Sequence, residues 1–112
     1  MRIEQKRHGA VTVVRPLGPL SNQGDATLLS EQVQEVMDQS RGRFVLDASE
    51  ITFIDSYGLE ALVDISDALS SSGKSFRICT VCETLREVFA ITEVAPKFQQ
   101  YEDVQTAVRS FL

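Results

Sequence analysis

Basic residues are outnumbered in this 112-residue chain: Lys and Arg total 11, Asp and Glu 16, for a net charge of -5 and a pI of about 4.8. That balance argues against a nucleic-acid binder, which needs a basic face. Long apolar runs are missing too, and none approaches the roughly 20 residues that cross a bilayer as a helix, so no membrane insertion is expected. Arg2, Glu4, Lys6 and Arg7 break up the start of the chain, so it does not read as a signal peptide and the expected location is cytoplasmic. Histidine occurs once, as His8, and cysteine twice, as Cys79 and Cys82. A structural zinc site takes four ligands, more than this set supplies, and no metal is expected. The C-x-x-C spacing does not read as a redox pair, because Cys79 falls in a predicted strand and the two thiols should point apart. No Gly-Lys-Ser/Thr follows a glycine-rich loop, so catalytic ATP binding is not expected. Repeats, low-complexity tracts, linkers and cofactor motifs are likewise absent, and no cofactor is expected.

What is present suffices for one domain spanning residues 1–112, with 43% hydrophobic residues to build its core. Met1 to Arg7 alternates weakly and reads as an edge strand; His8-Gly9 is a turn, and valine-rich Ala10 to Val14 a second strand. Pro16, Gly18 and Pro19 end the hairpin. Ser21 and Asp25 are the two candidate starts of a helix with Leu28, Leu29, Val33, Val36 and Met37 on one face, closed by Ser40-Arg41-Gly42. Phe44 to Leu46 is a continuous apolar strand, as expected where both sheet faces are covered. Phe76 to Val81 reads as another strand, Glu83 to Ile91 as a helix with Leu85, Val88, Phe89 and Ile91 apolar, Phe98 to Tyr101 as a short strand, and Glu102 to Leu112 as a last amphipathic helix. The predicted fold is a single α/β domain: a mixed sheet of four to five strands, an N-terminal hairpin followed by β-α units, covered by about four helices.

The stretch Ile51 to Ile65, ITFIDSYGLEALVDI, organises this pattern. An apolar run gives way to Asp55-Ser56-Tyr57-Gly58, after which Leu59, Leu62, Ile65 and Leu69 recur at helical spacing. Asp and Ser accept hydrogen bonds from the unpaired N–H groups of a first helical turn, so Ser56 on position alone reads as a cap. A hydroxyl there also sits near the positive end of the helix dipole, a favourable place for a phosphate.

The run FIDSYGLEALVDI resembles the signature of STAS domains, most nearly that of the anti-sigma factor antagonists: an apolar pair, Asp-Ser, a Ser or Thr, Gly-Leu, then an apolar helix. The resemblance extends to RFVLD (Arg43 to Asp47), GKSFRIC (Gly73 to Cys79) and Glu83 to Val94. It implies a STAS-like fold and a non-enzymatic regulatory module. Ser56 is then the phosphoacceptor of an anti-sigma factor serine kinase, with a serine phosphatase reversing the mark, and Asp55, Tyr57, Gly58, Leu59, Glu60, Ser21 and Asp25 form the expected partner-binding set. Two positions depart from the family pattern. Tyr57 replaces the usual Ser or Thr, and in Gly18-Pro19-Leu20-Ser21 the residue at the family's Asp position is Ser21, with Asp25 as the alternative carboxylate.

Phe44 through Gly73 contains no Lys or Arg but carries Asp47, Glu50, Asp55, Glu60, Asp64 and Asp67. A moderately acidic surface is therefore expected around Ser56, suited to a partner with a basic face. Two other readings are weighed. A non-switching STAS scaffold, subunit of a transporter or signalling complex, keeps the fold and drops the modification. An enzyme with Ser56 as nucleophile fares worse: G-x-S-x-G requires glycine where Ile54 stands, and no base accompanies the serine.

Overall fold

A hairpin opens the computed structural model, which describes residues 1–112. Strands β1 (Arg2–His8) and β2 (Val11–Leu17) pair antiparallel, with Glu4 opposite Arg15, Lys6 opposite Val13 and His8 opposite Val11. The turn is Gly9-Ala10, made possible by Gly9 at φ 66, and not His8-Gly9 as the sequence suggests. His8 closes β1, because its backbone is needed to complete the ladder with Val11.

Three parallel strands follow, each reached by a crossover: β3 (Phe44–Asp47), β4 (Phe76–Cys79) and β5 (Phe98–Tyr101). The five strands form one sheet in the order β1-β2-β3-β4-β5. Helices α1 (Gln23–Ser40), α2 (Ser56–Ser71) and α3 (Glu83–Ile91) contribute Leu29, Val33, Leu62, Ile65, Leu85 and Phe89 to the main core on one face. Short α4 (Val104–Arg109) covers part of the other face, with Ala107 against Val13, Val45 and Cys79. Every side chain of β3 is consequently buried: Phe44 and Leu46 join the main core, while Val45 joins the α4 side. The observed fold is the mixed five-stranded α/β architecture expected, with four helices.

Local capping moves several boundaries. Helix α1 starts neither on Ser21 nor on Asp25: Asn22 is the cap, and its Oδ1 accepts the Asp25 N–H at 2.7 Å. Asp103 caps α4 by accepting the Thr106 N–H at 2.7 Å, and the Ser110 hydroxyl donates to the Ala107 carbonyl, so the last helix is shorter than its apolar pattern. Strand β4 ends at Cys79 and does not reach Val81. Ile91 is 81% exposed although it fits the apolar set of α3, since Leu85 and Phe89 already define the inward face and Ile91 lies round the far side.

The two cysteines diverge as expected. Cys79 is buried on the α4 side, whereas Cys82 sits at the N-terminal boundary of α3 without a side-chain capping bond and packs against the main core. Burial pushes the Cys79 thiol up to about 11, so at neutral pH it stays a protonated core group.

Candidate functional site

The corner between β3 and α2 is built by a second piece of chain. The connection from β2 to α1 runs alongside it: Gly18 N–H donates to the Glu50 carbonyl at 3.2 Å, and Leu20 N–H to that of Phe53 at 3.1 Å. Asp55 N–H returns to the Leu20 carbonyl at 3.2 Å, and Leu20 and Ile54 form a parallel bridge. Ser21, next to Leu20, is thereby held beside the motif. Buried Gly58 makes this approach possible, since a Cβ there would lie 2.7 Å from Ile54 Cγ1 and 2.8 Å from Leu20 Cγ, with the Leu20 carbonyl oxygen closer still.

Asp55 is the N-cap of α2, and its Oδ1 accepts the Gly58 N–H at 3.0 Å. The capping role open to Ser56 from sequence is therefore filled by its neighbour. Ser56 is the first helical residue and is exposed, and its hydroxyl makes no hydrogen bond within the chain. Asp55→Ala should lower stability by about 1 kcal/mol, whereas Asp55→Asn keeps an acceptor and should lose only a few tenths, as read from urea unfolding midpoints.

Tyr57 projects outward, 49% exposed, and so does Phe53 at 48%. Phe53 belongs to the apolar run Ile51 to Ile54, but the run is not a strand and only Ile51 is buried in it. Leu59 is half-buried against the main core, and Glu60 is exposed. Tyr57 lines a cleft of about 280 Å³ between α1 and α2 together with Thr27, Glu31, Glu60, Ala61 and Asp64 among others, and with no Lys or Arg. Glu31, not evident from reading along the sequence, also lines this cleft; it belongs to α1 and joins the acidic face only through helix packing.

The charge map contracts elsewhere. Asp67 pairs with Lys97 at 3.1 Å. Asp47 is 8% exposed, on the opposite sheet face beside Arg15 and Val104, and its Oδ1 accepts the Ser49 N–H at 3.0 Å. Asp25 is engaged as well, with Met1 N at 3.2 Å and Asn22 Nδ2 at 3.0 Å from its two oxygens. The structure thus gathers Ser21 and Asp55 to Glu60 at one corner, while the Asp25 carboxylate is turned to the start of the chain.

No helix is long and apolar enough to cross a membrane. Among solved structures, the chain is similar to TM1081 of Thermotoga maritima, described as a candidate anti-sigma factor antagonist, with a TM-score of 0.86 and 23% identity over 96% of this chain and 92% of that one. It is similar to the Bacillus cell fate determinant SpoIIAA in its phosphorylated form, with a TM-score of 0.73 and 14% identity over 99% of this chain and 100% of that one. The murine anion transporter Slc26a9 matches at a TM-score of 0.73 and 15% identity, over 95% of this chain but 18% of the transporter. These likenesses share the fold, and the STAS domain family profile matches residues 2–107. The chain belongs to the STAS domain family.

Proposed function

We propose that this chain is a regulatory protein-binding module, akin to an anti-sigma factor antagonist, whose affinity for its partner is set by reversible phosphorylation of Ser56. One observation carries the reading: an exposed hydroxyl without an intramolecular partner opens α2. The partner is an anti-sigma factor serine kinase using ATP. Ser56 Oγ attacks the γ-phosphorus, the bond to the ADP oxygen breaks, and the hydroxyl proton leaves to the kinase or to water. A serine phosphatase hydrolyses the ester, restoring Ser56 and releasing inorganic phosphate. The likeness to SpoIIAA in its phosphorylated form supports this assignment.

The added group carries about -1.5 to -2 charge at pH 7. The α2 N-terminus favours it, by about 0.3–1 kcal/mol, and Asp55 opposes it, so the fold can carry the mark without rearranging. The partner surface is Ser21 with Asp55, Tyr57, Leu59 and Glu60; Gly58, expected in this set from the sequence, is buried and shapes the corner from beneath, and Asp25, already bonded, takes the smallest part. A basic partner is steered by Glu31, Glu60 and Asp64, and a phosphate at its centre adds bulk and a hydration shell to a packed interface.

Phosphorylation, or Ser56→Asp as its mimic, should remove roughly 3 kcal/mol of binding, about a hundredfold in affinity. Ser56→Ala should bind as the native chain does and accept no phosphate. Titration calorimetry with the kinase, and intact mass after incubation with it and ATP, measure both. A chain that stays unlabelled, with equal affinity for the Asp and Ala variants, overturns the switch. The likeness to the transporter's STAS region would then favour a scaffold that binds independently of Ser56.

A further inference from the structure

The hairpin leaves one long strand edge without a partner. Strand β1 stands first in the sheet and pairs only with β2. The two-residue turn Gly9-Ala10 makes His8 and Val11 a hydrogen-bonded pair, and alternation carries that phase along the strand. Arg2, Glu4, Lys6 and His8 therefore turn their backbone groups to β2, while Ile3, Gln5 and Arg7 turn theirs outward. Pro16 agrees with this phase: it has no N–H to give and stands opposite Ile3. No loop or helix backbone bonds to the outward groups of Ile3, Gln5 and Arg7.

Charged side chains on an edge ordinarily keep other strands away. The charges of β1 instead suit a second β1 laid antiparallel beside it. Only one register pairs all three outward residues: Gln5 opposite Gln5 of the second copy, and Ile3 opposite its Arg7. In that register Glu4 faces Lys6 of the second copy, on both sides of the two-fold axis. These are non-hydrogen-bonded pairs, in which side chains approach most closely. A slide of two residues one way sets Glu4 against Glu4 and Arg2 against Lys6, and the other way sets Lys6 against Lys6. Lys6 is exposed and belongs to no ion pair of its own chain. Glu4 and Lys6 line an open hollow of about 320 Å³ over the hairpin, so both can reach across the edge.

We propose that β1 is a self-association surface, on which a second copy of this chain docks edge to edge through its own β1. The contact is isologous and closes at two copies, with one continuous sheet running through both. The opposite edge offers no equal: β5 has four residues, Phe-Gln-Gln-Tyr, with no charge to meet Glu4 or Lys6. A β1–β5 contact would also be head-to-tail and would run on into filaments. Edge pairing covers little area, so the dimer belongs to the weak, exchanging class. It uses none of the residues of the Ser56 corner.

The test is sedimentation of the full chain from about 10 μM to 1 mM, with amide hydrogen exchange at both ends of that range. A monomer–dimer equilibrium with half-association near about 100 μM is expected. The amides of Ile3, Gln5 and Arg7 should gain protection as concentration rises, whereas those of Glu4, Lys6 and His8 should be protected throughout. Gln5→Pro removes an outward N–H that the hairpin does not use; it should stay folded and dimerise at least tenfold more weakly. Lys6→Glu and Glu4→Lys each set like charges opposite and should each lose about tenfold or more in self-association. Mixed together, the two variants face each other with opposite charges and should pair about as well as the native chain, which also shows that both are folded. A chain that stays monomeric at 1 mM overturns the proposal, as do oligomers that grow beyond the dimer, association indifferent to Gln5→Pro, or a mixture that pairs no better than its components.

Discussion

Gly58→Ala should destabilise the domain by about 3 kcal/mol, although alanine is the better helix former by about 1 kcal/mol. The expectation rests on what the methyl meets. A Cβ at Gly58 lands on the Leu20 carbonyl oxygen, on Ile54 Cγ1 at 2.7 Å and on Leu20 Cγ at 2.8 Å. Side chains can rotate away, but the carbonyl is fixed, because it accepts the Asp55 N–H at 3.2 Å. Relief therefore requires parting the β2–α1 connection from the motif loop. Urea unfolding of the purified variant measures the loss, and the Ser56 corner should loosen at the same time. A variant as stable as the native chain would mean that the two segments separate freely.

Phe76→Ala should cost about 4 kcal/mol, within the range for emptying a buried aromatic site. Phe76 is 1% exposed and stands mid-way in a series of rings, 5.7 Å from Phe44 and 5.6 Å from Phe98, which in turn meets Phe89 at 4.9 Å. The series joins β3, β4, β5 and α3, so the cavity cannot close by moving one element. Against the roughly 5–15 kcal/mol that holds a domain of this kind, the loss leaves a marginal protein. Phe76→Leu, which refills most of the volume, should recover more than half of the urea midpoint shift.

Much of this was legible in the sequence where a signal is local and repeated. The apolar spacing of Leu62, Ile65 and Leu69 gave the inward face of α2, and unbroken Phe44-Val45-Leu46 indicated a strand covered on both sides. The tetrapeptide Asp55 to Gly58 located the helix entrance, although the cap is Asp55 and not Ser56. Signals failed where several equivalent residues crowd together: Ser21, Asn22 and Asp25 are all capping types, and only geometry selects Asn22. They failed also where partners are distant in sequence. Asp67 finds Lys97, Glu31 of α1 joins Glu60 and Asp64 of α2, and Asp47 turns to the far sheet face. A groove lined by Arg41, Arg43, Lys74 and Arg77 was invisible for the same reason, being divided between two loops and a strand.

The isolated Leu20–Ile54 bridge ties the chain that follows β2 to the chain that follows β3. A visiting protein therefore meets a preformed relief at this point, with little freedom left to freeze on contact. Association would proceed close to rigid-body docking, and surface chemistry more than chain ordering would govern how long the complex lasts.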